Sequence, residues 1–263
     1  MDAYKILSLV RERRPLVHHI TNWVTIYDCA NIVRAFGALP VMAHAKEEVR
    51  EMATIAGALV LNIGTLTPEL VDSMVLAGKT ANHHEIPVVL DAVGAGATKL
   101  RTESALRILD EVHVGVLKGN SSEIGTLAGA EAETKGVESM GVKGDIKELA
   151  KKLALKRKQT VAVTGKQDTV TNGRKMYLVD NGHPMMGSIV GTGCMAASVI
   201  GAFCAVEKDH ALASAAALAC FGITGELAAK KSKGPGTFKE QFYDEAYALD
   251  KKKISSLLKV TLA

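Results

Sequence analysis

Aromatic residues make up only 4% of the 263-residue sequence, with a single tryptophan, and neither sign of charge dominates, since 32 Lys and Arg face 28 Asp and Glu. The net +4 is spread along the chain instead of forming a basic arm, which gives nucleic-acid binding no support. Cysteine is scarce too. Cys29, Cys194, Cys204 and Cys220 stand far apart without CxxC or CxxH spacing, a pattern of reduced thiols in a cytoplasmic protein and not of disulfide staples or a zinc site. No stretch offers the roughly 20 unbroken apolar residues of a membrane span. The alanine-rich run from Ala211 to Ala229 is broken by Ser214, Gly222, Gly225 and Glu226 and reads as a buried helix, so no membrane partner is expected. The start of the chain leads to Arg11-Glu12-Arg13-Arg14 and lacks the apolar core of a signal peptide. A P-loop is missing as well: Gly78-Lys79-Thr80 has Ser73 where the first glycine should be.

What remains is 48% hydrophobic residues and 24 glycines, the make-up of an α/β enzyme built from Ala, Val, Leu and Ile. With no linker and no repeat, residues 1–263 read as one domain. A short amphipathic helix over 2–12 ends before Pro15 and the polar cluster His18-His19-Ile20-Thr21-Asn22. Helices follow over 23–36, closed by Gly37, and over 46–55. Thr67-Pro68-Glu69, with its hydroxyl cap, first-turn proline and acid, opens a helix running to Asn82. A further helix is predicted over 102–110, and another after Asp145 to Arg157.

Between them lie apolar runs of strand length: 38–43, 58–63, 87–91, 112–117 and 160–164. Alternating strands and helices at this spacing predict right-handed βαβ units and a mostly parallel sheet with helices on both faces. Ligands of such sheets gather beyond the carboxyl ends of the strands. Residues 131–144, charged and glycine-broken, read as a surface excursion. The Asn172-Gly173 turn signal predicts a small antiparallel hairpin near 168–180, and three helices over 192–206, 208–231 and 237–258 complete the chain.

The loop after that hairpin carries the chemistry. Gly191-Thr192-Gly193-Cys194 leads into the small apolar run Met195 to Phe203, so glycines allow close backbone approach where the first helical N–H groups have no partners. That is an anion hole, and equally a glycine-capped start to a core helix. Gly191-x-Gly193-x-x-Ala196 matches a loose dinucleotide fingerprint, yet only helices follow it, which a Rossmann unit does not allow.

A late Gly-Thr-Gly loop after a run of βα units and a hairpin resembles the ribokinase-like family of small-molecule kinases, and within it the hydroxyethylthiazole kinases of thiamin salvage. Seven ordered blocks carry the likeness: Val17 to Asn22, Pro40 to Ala45, Asn62 to Leu66, Asp91 to Thr98, Gly119 to Ile124, Ala162 to Gly165 and Gly191 to Cys194. Cysteine after Gly-Thr-Gly marks the thiazole kinases, where most of the wider family has an aspartate base. The chain departs from the family pattern at Ala92, usually proline, and at Lys118, usually arginine, which keeps a charge for phosphate without the planar fork.

The resemblance implies a ribokinase-like fold, with ATP and Mg²⁺ used to phosphorylate the hydroxyl of 4-methyl-5-(2-hydroxyethyl)thiazole, in a homotrimer with thiazole bound between subunits. By the same resemblance Gly191, Thr192, Gly193 and Cys194 surround the transferring phosphoryl group, and Lys118, Thr164 and Asn120 meet the nucleotide. Asp91 and Glu123 face the metal, while Met42, Gly191 and Asn22 meet the thiazole. Taken alone, Glu123 is equally a first-turn helix acid, Met42 a core thioether and Lys118 a solvated strand-end cation. Two other readings stay open: a related vitamin kinase acting on hydroxymethylpyrimidine or pyridoxal, and a thiazole- or nucleotide-binding sensor without activity.

Overall fold

Short apolar runs with period-two alternation build the centre of the protein. The computed structural model describes residues 1–133 and 145–263, so the expected excursion lies, from 134 onward, outside the described residues. Its strands are β1 (Leu16–Ile20), β2 (Leu39–Met42), β3 (Ala58–Asn62), β4 (Val88–Asp91), β5 (Val116–Asn120), β6 (Thr160–Thr164), β7 (Asp168–Thr171), β8 (Met176–Val179) and β9 (Val260–Leu262). They form one sheet in the order β2-β1-β3-β4-β5-β6-β7-β8-β9. The six strands from β2 to β6 run parallel, and β7, β8 and β9 add on antiparallel.

Alternate strand residues feed two cores. Val17, Val60, Val89, Val116 and Ala162 pack beneath α1 (Ala3–Arg13), α2 (Ile26–Phe36), α8 (Thr192–Cys204), α9 (His210–Lys231) and α10 (Pro235–Tyr247). Leu59, Leu61, Leu90, Leu117 and Val161 face α3 (Val49–Ile55), α4 (Pro68–His83), α5 (Lys99–Glu111), α6 (Ser121–Glu133) and α7 (Ile146–Arg157). Both faces are covered, as a parallel sheet requires. α9 is long and apolar enough to cross a membrane, yet 83% of its apolar window is buried inside the protein against α8 and α10.

The mostly parallel sheet and the hairpin at β7 and β8 agree with the sequence pattern. Other details differ, α6 and β9 being elements the sequence pattern did not announce. The cluster around His18 is itself a strand, β1, with both histidines fully buried and Nε2 of His18 bound to Ala43 O at 2.8 Å. α2 starts at Ile26 and not Trp23, because Asn22 Oδ1 accepts from the backbone of Val24 and Thr25 in an Asx turn. β5 begins at Val116, which moves Lys118 and Asn120 from a following loop into the strand. The last helix is two, α10 and α11 (Lys251–Leu257), the second capped by Asp250, whose side chain accepts from Lys253 N at 2.8 Å.

α8 packs directly on β3 and β1, and Gly201 permits it. A Cβ there would lie 2.5 Å from Val60 Cγ2, inside any real contact. Gly201→Val should therefore lower the unfolding free energy by about 1–3 kcal/mol, the usual cost of overpacking. Urea denaturation checks this, and an unchanged or raised midpoint would contradict it.

Candidate active site

Parallel register lines up Asn62, Asp91 and Lys118 as direct neighbours across β3, β4 and β5. All three point into the protein near the strand ends, and Asp91 is completely buried. A lone carboxylate could not remain charged there. Lys118 Nζ donates to its Oδ1 at 2.9 Å and Asn62 Nδ2 to its Oδ2 at 2.7 Å. Burial still dominates and pushes the carboxyl up to about 6, with Lys118 opposing. Burial alone would lower the Lys118 pKa, but Asp91 outweighs it and the net shift is upward, so the ammonium stays charged.

The network continues outward. Asn62 Oδ1 accepts from Gly64 N and from Asn22 Nδ2, each at 2.9 Å, and Asn22 Nδ2 also reaches Cys194 Sγ at 3.3 Å. Asn22 is thus held on both its ends, its Oδ1 by the Asx turn and its amide by Asn62. Cys194, Asn22, Asn62, Asp91 and Lys118 form one continuous chain of polar contacts.

Across from it stands the start of α8. Gly191 is the N-cap residue at φ +94°, and a Cβ on it would lie 2.6 Å from Thr25 Cγ2, so glycine is required twice over. Thr192, Gly193 and Cys194 form the first helical turn, and the first intrahelical bond is Met195 N to Gly191 O at 2.8 Å. Their three N–H groups are left at the positive end of the helix dipole, the geometry of an anion site. Gly193 brings the backbone close to the lysine: a Cβ there would stand 3.1 Å from Lys118 Nζ.

Two cavities flank this turn and share Gly193 and Thr164. One, of about 410 Å³, is lined by Asn22, Lys118, Asn120, Glu123, Gly191 and Cys194 among others. The second, of about 580 Å³, runs past Thr192 toward Asp168, Met186 and Phe221. Thr164 closes the end of β6 with Oγ1 3.4 Å from Gly119 O, and Asn120 ends β5. Of the residues assigned by resemblance, all except Met42 line one cavity or the other, or form the network beneath them. Met42 lies half-buried at the end of edge strand β2, paired in register with His19, and lines neither cavity.

Glu123 also has structural work. Its oxygens accept from Gly94 N at 2.8 Å and Asn120 N at 2.7 Å, while Asn120 Oδ1 accepts from Ser122 N and Glu123 N, a capping box at the start of α6. No group of three or more His, Cys, Asp or Glu able to cage a metal occurs among the described residues. Two oxygen-donor carboxylates, each keeping lone pairs free, suit a hard cation that arrives with phosphates and retains its water.

Sequence reasoning passed over Asn62, whose place at a strand end in the Asn62 to Leu66 block was the available signal. It also passed over Thr25, which crowds Gly191, and Arg101, which lies outside the seven family blocks.

Pyridoxal kinase from Staphylococcus aureus, solved with AMP-PCP and pyridoxal, shares the fold at a TM-score of 0.64 and 14% identity, covering 95% of this chain and 98% of that one. The sheet order, the late helix terminus and this neighbour define a ribokinase-like fold. The structure of hydroxyethylthiazole kinase from Pyrococcus horikoshii OT3 superposes with a TM-score of 0.92 at 45% identity, over 99% of this chain and 98% of that one. Hydroxyethylthiazole kinase of Methanosarcina mazei is 58% identical over 254 residues, 97% of each chain. The profile of the hydroxyethylthiazole kinase family matches residues 7–252, and the chain belongs to that family of kinases.

The geometry bears directly on Cys194. Burial, then the charge of Asp91, raises its thiol above the ordinary 9.0 despite the help of Thr25 and Lys118. Alkylation of Cys194 by iodoacetamide in the unliganded protein should be slow at neutral pH and still accelerating above pH 9. Peptide mass mapping across a pH series reads this, and rapid labelling with a midpoint below pH 8 would contradict it.

Proposed function

We propose that the chain transfers the γ-phosphoryl group of ATP to the hydroxyl of 4-methyl-5-(2-hydroxyethyl)thiazole, as a single cytoplasmic domain assembled into homotrimers. The observation that carries this reading is the convergence, on one side of Gly193, of three unpartnered helical N–H groups, a buried lysine and the Asn22–Cys194 contact. The nucleotide takes the larger cavity with its phosphates at Thr192 to Cys194, near Lys118, Thr164 and Asn120. The alcohol enters the smaller one beside Asn22 and Gly191.

Mg²⁺ bound with the nucleotide would be met by Asp91 and Glu123 and would supply neutralisation of phosphate charge. Lys118 adds a fixed cation, and the α8 terminus stabilises the equatorial oxygens as the transferred group flattens. The alcohol oxygen bonds to phosphorus as the bond to the leaving ADP oxygen breaks, and the hydroxyl proton departs to a phosphoryl oxygen or to solvent. A thiol whose pKa is raised stays protonated near neutral pH and has no base form to offer, so Cys194 orients the hydroxyl and takes no proton. Loose phosphoryl transfer tolerates this, because positioning and charge carry most of the catalysis.

The assembly draws support from exposed apolar residues beside the site. Trp23 is 58%, Tyr27 72% and Val190 70% exposed, and a second copy covering them would bring edge residues such as Met42 to its thiazole.

Purified protein incubated with ATP, Mg²⁺ and a panel of thiazole, pyrimidine and pyridine alcohols should yield the thiazole phosphate. Binding of alcohol and ATP with no transfer to any acceptor would replace the kinase by a sensor. Cys194→Ala should retain measurable turnover, its loss staying below the ~10²–10⁴ that removing a general base costs, and Cys194→Asp should stay active. Complete loss in both would make the thiol chemically essential.

A further inference from the structure

α5 begins against electrostatic preference. Thr98 Oγ1 caps it by accepting from Arg101 N at 3.3 Å, so Arg101 occupies the first turn, where the dipole disfavours a cation. No carboxylate compensates it, for Arg101 forms no ion pair among the described residues. Its guanidinium instead crosses to the strand ends. Nη1 donates to Ile63 O at 3.0 Å and Val93 O at 2.9 Å, and Nη2 to Gly64 O at 2.5 Å. One side chain therefore binds the backbone that leaves β3 and the backbone that leaves β4.

That backbone delivers the site. Gly64 N donates to Asn62 Oδ1, the same atom that receives Asn22 Nδ2, and Asn22 in turn meets Cys194. Gly94, next to Val93, donates its N–H to Glu123 Oε1 at 2.8 Å. Gly94 also makes room for the clasp: at φ +76°, a Cβ on it would lie 2.9 Å from Arg101 Cδ and 3.2 Å from Nη1. Arg101 itself lines neither cavity. A planar fork presents its donors in one rigid plane wide enough to span carbonyls of two loops, a geometry the compact ammonium of lysine does not reproduce.

We infer that Arg101 is a positioning residue of the phosphoryl-transfer site, clasping the loops after β3 and β4 so that Asn62 and the Gly94 amide hold Asn22 and Glu123 in place. The inference rests on the kinase reading for its catalytic consequence, while the clasp itself is independent of it.

The test uses the full chain and compares wild type, Arg101→Ala, Arg101→Lys and a control, Arg107→Ala. Arg107 lies on the same helix and pairs on the surface with Asp72 and Glu111. Arg101→Ala should lower kcat by about 10²-fold, the effect of a displacement near 1 Å, with the KM for the alcohol changed far less. Guanidinium chloride below denaturing concentration should restore part of kcat where equal sodium chloride does not. Peptides carrying Gly64 and Gly94 should exchange amide hydrogen faster than in wild type, and Arg107→Ala should match wild type in every measurement. A folded Arg101→Ala with wild-type kcat and unchanged exchange at Gly64 and Gly94 overturns the inference. So does a loss of kcat that guanidinium cannot restore while that exchange is unchanged. Where Arg101→Ala does not fold, Arg101→Lys decides: lowered kcat with faster exchange at the two glycines supports the clasp, and wild-type behaviour overturns it. Should wild type transfer no phosphate, the kinase reading falls, and exchange at Gly64 and Gly94 alone then tests the clasp.

Discussion

A carboxylate completely buried at the end of β4 must be compensated, and the compensation of Asp91 organises the site. Removing one partner from a buried ion pair costs about 3–5 kcal/mol, because the remaining charge is left without solvent. Lys118 and Asn62 prevent that cost by standing beside Asp91 in the same cross-strand row. Once Asn62 has given its amide to Asp91, its oxygen is committed outward to Gly64 and Asn22. Asn22 then fixes the start of α2 and touches Cys194. A single electrostatic requirement inside the sheet is thereby linked to Asn62 at the end of β3, Asn22 in the loop after β1 and Cys194 in the first turn of α8.

The other half of the site is backbone. α8 needs a glycine at its cap because φ is positive and Thr25 is close, and a small residue at 193 because Lys118 is close. The consequence is that the N–H groups of the first turn of α8 lie close to a buried ammonium, the pairing on which the proposed phosphate site rests. Lys118 is already engaged by Asp91, which keeps it ordered before any phosphate arrives. Preorganised donors of this kind contribute to phosphoryl transfer because nothing has to move when charge develops.

Glu123 and Cys194 show how a residue type can mislead when taken singly. Glu123 closes a capping box and braces Gly94, so the acid in the first turn of α6 is structural whatever else it meets. Cys194 stands in a helical first turn, a position that ordinarily lowers a thiol pKa, yet burial and Asp91 raise it. The dipole argument fails here because desolvation and a nearby negative charge are stronger at this range.

Much was legible in the sequence by itself. The apolar runs specified buried parallel strands, Asn172-Gly173 specified the hairpin, and Gly191-Thr192-Gly193 ahead of a small apolar run specified a glycine-capped helix start, since each depends on local pattern. The ordered blocks specified the family. Tertiary structure alone decided that the histidine cluster is a strand, in which one ring nitrogen of His18 meets Ala43 O and one of His19 meets Val17 O. It alone decided the register that sets Asn62, Asp91 and Lys118 side by side, and the reach of Arg101 from one helix to two loops. These contacts join residues tens of positions apart, and no periodicity encodes a bond whose partners meet only after the sheet has formed.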